Sequence, residues 1–263
     1  MLEQMEEFMC IKKLSTVLLT ACIAILPALS ALAGDGEETD VQKSWDAARV
    51  YLPGQSGTTT PERIQVARPM PVVIYLHGCS GIVYENQAWG SLLAQQGFIV
   101  ILPDSMARRN EMNCDPKTKK SGKFPQAHAM RQEEIRYAAR RINEAPWWDK
   151  RNLFLMGHSE GGVAAARTKL PDFSGIIISG WRCTHGKNPQ FDGIFAPLET
   201  PVLTVEWSRD DWQTDATKGS CSDKFTGRSQ AQQLLLPGSG HNIYDQATAR
   251  DAVARFLREH LRQ

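Results

Sequence analysis

Apolar and polar positions along this chain follow two periods that take turns. Continuous apolar runs of strand length occupy residues 71–76 (PVVIYL), 98–102 (FIVIL), 153–156 (LFLM), 175–179 (GIIIS) and 201–205 (PVLTV), with a weaker run over 230–236. A run without polar alternation fits a strand buried on both faces. Between the runs the period lengthens to that of a helix, over 86–96 (stopped by Gly97), 126–144, 161–170 and 247–261. In the second of these, Met130, Ile135, Ala138 and Ile142 share one side, with Arg and Glu on the other. Strands alternating with helices predict one α/β domain with a mostly parallel central sheet, helices on both faces and right-handed crossovers. Ahead of it, two short β-type pieces, ARVYL and RIQVA within 46–66, flank PGQSGTTTPE, which reads as a hairpin loop. A long polar loop is expected over 104–125.

Composition supports this picture. The chain has 263 residues, 42% hydrophobic and 22% charged, enough apolar material for a sizeable core. Its formal net charge of +1 and the lack of a basic stripe with interleaved aromatics exclude a dedicated nucleic-acid partner. No residue pattern sets an oligomeric state.

The first segment has another character. Lys12 and Lys13 precede an apolar run broken at Pro27, then Ala31-Leu32-Ala33. That is the layout of a secretory signal over 1–33, cleaved after Ala33, leaving no stable membrane span. The acidic stretch before Met9 fits this layout poorly, which makes Met9 a second candidate start. Leu19-Thr20-Ala21-Cys22 resembles a lipobox, so a lipid anchor at Cys22 is the alternative. Residues 34–43 read as a loose polar leader to a single domain over 34–263. Export to the periplasm or beyond would leave four cysteines, Cys79, Cys114, Cys183 and Cys221. Four in an oxidising compartment suggest two disulfides with three possible connectivities. No C-x-x-C pair exists, which argues against a zinc knuckle, and no metal site is expected.

The chemistry gathers beyond the carboxyl ends of the predicted strands, where an open parallel sheet places its functional loops. Gly157-His158-Ser159-Glu160-Gly161 lies between a strand and a helix. G-x-S-x-G in that context bends the chain sharply and raises the serine hydroxyl. Serine is a weak nucleophile and needs a base, and the base needs an orienting acid. His241, in PGSGHN before the last helix, is the candidate base; His260 lies in the terminal helix among charged residues. The acid is expected just after 201–205, where Asp210 is preferred and Asp211 is the alternate, with Glu206 weaker. An oxyanion hole would use the backbone N–H groups of Glu160 and of Cys79, in YLHGCSG. His77 precedes the serine and reads as a brace for that loop.

In order, HGCSG, GHSEGG, PVLTVEWSRD and GSGHN resemble the α/β-hydrolase superfamily from about Val72 to the C-terminus. Within it the chain looks like the dienelactone-hydrolase-like group and its exported esterase relatives. The resemblance implies hydrolysis of carboxylic esters or lactones through an acyl-enzyme, without metal or organic cofactor, on small-molecule ester substrates. Dienelactone hydrolases proper carry cysteine where this chain has Ser159, which favours a serine esterase; Trp207 stands where the acid-bearing loop commonly has glycine. A peptidase and a polymer-ester depolymerase are alternative enzymes, and a non-catalytic binding protein keeping the fold is the alternative of another class.

All four cysteines follow predicted strand ends, and the pairs expected are Cys79–Cys114 and Cys183–Cys221. Trp181 and Trp207, with Trp212, are candidates for an aromatic substrate wall. Arg108, Arg109 and Arg182 are candidates for a substrate carboxylate, with surface solvation as their alternative. Residues 181–200 are too few and too polar for a large lid, which favours small or soluble substrates.

Overall fold

The computed structural model describes residues 39–108, 114–115, 120–121, 124–185, 188–213 and 219–263. The expected signal over 1–33, the lipidation alternative at Cys22, residues 34–38 and Arg109 lie outside the described residues.

The strands are β1 (Arg49–Tyr51), β2 (Met70–Leu76), β3 (Ile99–Leu102), β4 (Cys114–Asp115), β5 (Lys120–Ser121), β6 (Trp148–His158), β7 (Gly175–Ser179), β8 (Val202–Asp210) and β9 (Ala231–Gly240). The helices are α1 (39–46), α2 (Tyr84–Gln95), α3 (Phe124–Glu144), α4 (Glu160–Arg167) and α5 (Ala247–Glu259). Seven strands form one sheet in the order β1-β3-β2-β6-β7-β8-β9. Every neighbouring pair is parallel except β1 with β3, so the expected mostly parallel sheet is found. β4 and β5 form a separate two-stranded ribbon within the stretch expected to be loop.

The unbroken apolar runs have a direct explanation. Val72, Ile74 and Leu76 pack on one face with Trp45 of α1, Ile135 and Ile142 of α3 and Val163 of α4. Val73 and Tyr75 point the other way, towards Trp89 and Leu93 of α2 and Val253 and Phe256 of α5. Successive side chains alternate between faces, and both faces are covered. The stretch after α5 is tied back to β6: Arg262 N–H donates to Asn152 Oδ1 (2.7 Å), and Asn152 Nδ2 donates to the Arg262 carbonyl (3.0 Å). No helix among the described residues is long and apolar enough to cross a membrane.

Three expectations change. Residues 39–43 are not a loose leader: they lie in α1, where Val41 and Trp45 are buried and Asp40 accepts from Arg108 Nε at 3.1 Å. The piece RIQVA is not a strand; Pro61–Arg63 form a short 3-10 turn, and the β-contact of this region is a bridge between Val50 and Thr59. Three strands run past their apolar runs, β6 to 11 residues, β8 to Asp210 and β9 to Gly240. Polar strand ends look like loop to a hydrophobicity pattern, and here they carry the candidate chemistry.

Candidate active site

β6 ends at His158 and α4 begins at Glu160, so Ser159 alone makes the bend. Its φ of 55° and ψ of −119° put a non-glycine residue in a region that costs about 1–3 kcal/mol. The surroundings enforce it. Ser159 N–H donates to the Ser179 carbonyl (2.9 Å), and the Ser159 carbonyl accepts from Val163 N–H (3.0 Å). A Cβ on Gly157 would collide with the Gly161 carbonyl, so only glycine lets helix and strand meet this closely. The Ser159 side chain remains partly exposed at the tip of the turn.

The register of the last two strands places the next pair. Asp210 faces Gly240 across the β8–β9 ladder, and His241 follows at once. His241 Nδ1 lies 2.9 Å from both carboxylate oxygens of Asp210, which is 7% exposed. A carboxylate accepts, so Nδ1 is the nitrogen that donates to it and Nε2 is the one left for other partners. Asp210 Oδ1 also accepts from Trp212 N–H at 2.8 Å, fixing the carboxylate. The alternate acid Asp211 is exposed and engages the β9 end only through its backbone N–H to the Gly240 carbonyl (3.1 Å). Glu206 is buried under Cys221 N–H (3.1 Å) and Gln233 (2.8 Å), away from His241; burial raises its pKa.

Gly180, just after β7, lets the His241 ring come close to the ring of His158, the residue before Ser159. Its φ is 61°, and a Cβ there would stand 3.2 Å from His241 Cε1 and 2.8 Å from His158 Cε1. No hydrogen bond joins Ser159 Oγ to His241 among the described residues. Such bonds are often long in unliganded enzymes and tighten with substrate.

The loop after β2 lies against the serine: a Cβ on Gly78 would stand 3.3 Å from Ser159 Cβ. Neither Cys79 N–H nor Glu160 N–H donates a hydrogen bond among the described residues. His77 and Arg131 hold this loop from below. His77 Nε2 accepts from Ser105 N–H (3.1 Å), so Nδ1 carries the proton and donates to the Gly78 carbonyl (2.6 Å). Burial, then the nearby Arg131, pushes the His77 pKa well below its usual value, so the ring is neutral. Arg131 Nη2 donates to the His77 carbonyl (2.8 Å) and sits 3.6 Å from Glu160 Oε1. Cys79 is joined to Cys114 by a disulfide, and Cys183 to Cys221, linking loops at the same end of the sheet.

Other expectations are corrected. Trp181 and Trp207 do not form an exposed wall; they are 7% and 8% exposed. Trp207 packs against Gly240 and donates Nε1–H to the Asn242 carbonyl, while Trp181 sits in the core. The partly exposed indole beside His241 is Trp212, with ring centroids 5.6 Å apart. Arg108 is buried and engaged by Asp40 and Glu133, so it presents no free guanidinium, while the half-buried Arg182 donates through Nη2 to the Ser208 carbonyl (2.8 Å).

Sequence reasoning missed three residues. Arg131 lies on the apolar stripe of α3, four positions before Ile135, so its place in the period marked it as buried. His158 is inside the glycine–serine motif; its ring packs on His241 with centroids 4.8 Å apart, and burial lowers its pKa to about 4. Glu85 opens α2 in no motif, yet contacts the His241 loop. Among the described residues no group of three or more His, Cys, Asp or Glu is placed to hold a metal ion.

No protein-family model matches this sequence, and no curated protein matches it. Solved structures do match in shape. A Klebsiella pneumoniae protein assigned as a dienelactone hydrolase shares 17% identity over 81% of this chain and 98% of its own, with a TM-score of 0.58. An S-formylglutathione hydrolase from Agrobacterium tumefaciens shares 16% over 82% and 90%, at 0.56. A Xanthomonas campestris protein described as an α/β serine hydrolase without lid shares 14% over 82% and 89%, at 0.55. At these identities the likeness establishes the α/β-hydrolase fold.

Proposed function

We propose that this protein is an exported serine hydrolase that cleaves carboxylic esters or lactones through an acyl-enzyme. The observation that carries the reading is the Asp210–His241 pair, 2.9 Å apart, whose imidazole packs on His158, the neighbour of Ser159 in its strained turn. In this reading His241 Nε2 takes the Ser159 proton as Oγ attacks the substrate carbonyl. Asp210 holds the imidazole in the needed tautomer and offsets the charge of the imidazolium. The unengaged N–H groups of Cys79 and Glu160 receive the developing oxyanion. The alcohol leaves with the proton from His241, and water then repeats the sequence to release the acid. The hydrolase and esterase activities named for structurally similar proteins agree with this chemistry. The paired cysteines and the sequence layout of 1–33 support export.

The test is turnover of p-nitrophenyl acetate and longer esters by wild type beside Ser159→Ala. Hydrolysis by wild type alone, with fluorophosphonate labelling at Ser159, is the expected result. Equal rates for the two proteins, or no labelling, would refute it.

A further inference from the structure

His241 leaves from β9, an edge strand three places from β6, which carries Ser159. Its loop has to come back over the ends of β8 and β7. The bond to Asp210 fixes one edge of the imidazole and Trp207 Nε1–H holds the Asn242 carbonyl, which leaves the N–H groups of Ile243 and Tyr244 in need of acceptors. A cavity of about 190 Å³, lined by Val83, Tyr84, Glu85, Asn242, Tyr244 and Asp245, borders the loop.

Glu85 closes that gap. It is buried in the first turn of α2. Its Oε1 accepts two consecutive backbone N–H groups of the loop, Ile243 at 2.8 Å and Tyr244 at 3.1 Å. Its Oε2 makes no hydrogen bond and lies 3.6 Å from His158 Nε2. On its other side His158 Nδ1 lies 3.1 Å from Ser179 Oγ, which is itself 3.2 Å from the Gly157 carbonyl. The His158 ring then packs on His241. One carboxylate thus touches the base from two sides, through the loop that carries it and through the ring beside it.

We propose that Glu85 is a positioning residue for His241, holding the loop over 241–244 against α2 so that the imidazole stays within reach of Ser159. The inference rests on the serine-hydrolase reading above. Without an acceptor at this place, two loop N–H groups lose their partner, Ile243 N–H among them from a fully buried residue. The loop would then turn them to water and carry His241 away from the nucleophile.

The experiment is a double-mutant cycle on the full chain, with Glu85→Ala, His241→Ala and both together, read as kcat and KM for p-nitrophenyl acetate. Glu85→Ala is expected to lower kcat about 100-fold, the cost of roughly an ångström of misplacement, with KM changed less than about 3-fold. Glu85→Gln keeps an oxygen that accepts both N–H groups and is expected to stay within about 5-fold of wild type. In the His241→Ala background, adding Glu85→Ala is expected to change the residual rate less than about 2-fold, because its target is already gone. A full kcat in Glu85→Ala overturns the inference, as does an equal loss with and without His241. If Glu85→Ala does not fold, Glu85→Asp, whose reach is about 1.5 Å shorter, replaces it in the same cycle under the same two criteria. An unaffected rate in His241→Ala alone would instead overturn the hydrolase reading.

Discussion

Trp207 donates its indole N–H to the carbonyl of Asn242, 2.9 Å away. The strand that carries Asp210 thereby grips, from three residues before it, the residue immediately after His241. Trp207→Phe removes the donor together with the indole atoms that lie on Gly240. Stability should fall by more than about 1 kcal/mol, the typical net worth of one hydrogen bond, because packing is lost with it. Ester turnover should fall with it. Urea midpoints and kcat measured on the same preparation check both; an unchanged kcat would show that the loop does not need this contact.

The choice between the two aspartates is measurable. Asp210→Asn should lower kcat by about 10⁴, because an amide favours the wrong tautomer of the histidine it touches. Asp211→Asn should stay within about 3-fold of wild type, since surface substitutions away from special features rarely matter. Equal losses in the two variants would contradict the pairing of Asp210 with His241.

Buried neutral histidines make stability depend on pH. Burial first of all lowers the pKa of His77 well below the usual value, of His128 to about 3 and of His158 to about 4. Between those values and about 6.5 the unfolded chain binds protons that the native state refuses, so stability falls on acidification through this window. Glu160 and Glu206 act oppositely. Burial raises their pKa, so the native state takes protons first as pH drops towards about 4.5. The unfolded histidines titrate inside the interval from pH 7 to pH 5 and the unfolded carboxylates below it, so the histidines set the expectation there, a loss of stability on acidification. His158→Gln should flatten the slope by up to about 1.4 kcal/mol per pH unit. Urea unfolding at three pH values tests this; a slope unchanged by the substitution would refute the neutral assignment.

The Cys183–Cys221 bridge closes a loop of sequence separation 38. Replacing both with serine should cost about 4 kcal/mol through the freed entropy of the unfolded chain. Guanidinium unfolding of the variant checks the figure. A loss below about 1 kcal/mol would mean the unfolded chain gains little freedom.

The sheet was legible because strands covered on both sides leave long apolar runs, and β7 has the bounds that its run implies. Ser159 and His241 stood out because glycine flanks them at strand ends, a local signal. The aspartates could not be separated that way. Nothing in WSRDDW says where β8 stops, and the answer lies in the register of Asp210 with Gly240. Trp207 was misread for a related reason. One residue's place in a pleat decides whether an indole faces substrate or core, and a polar strand end hides the pleat. Glu85 is the limiting case: its partner Ile243 is 158 residues away, and no short window holds both.

The tie between Arg262 and Asn152 bears on when the site comes into being. Ribosomes deliver the chain from the amino end, so β6, Ser159 and the loop of Cys79 are synthesised while β9 and α5 are still missing. The base arrives only when the last strand joins the edge of the sheet, and the latch onto Asn152 follows within about twenty residues of it. In the serine-hydrolase reading, activity would therefore be withheld until β9 has joined the sheet.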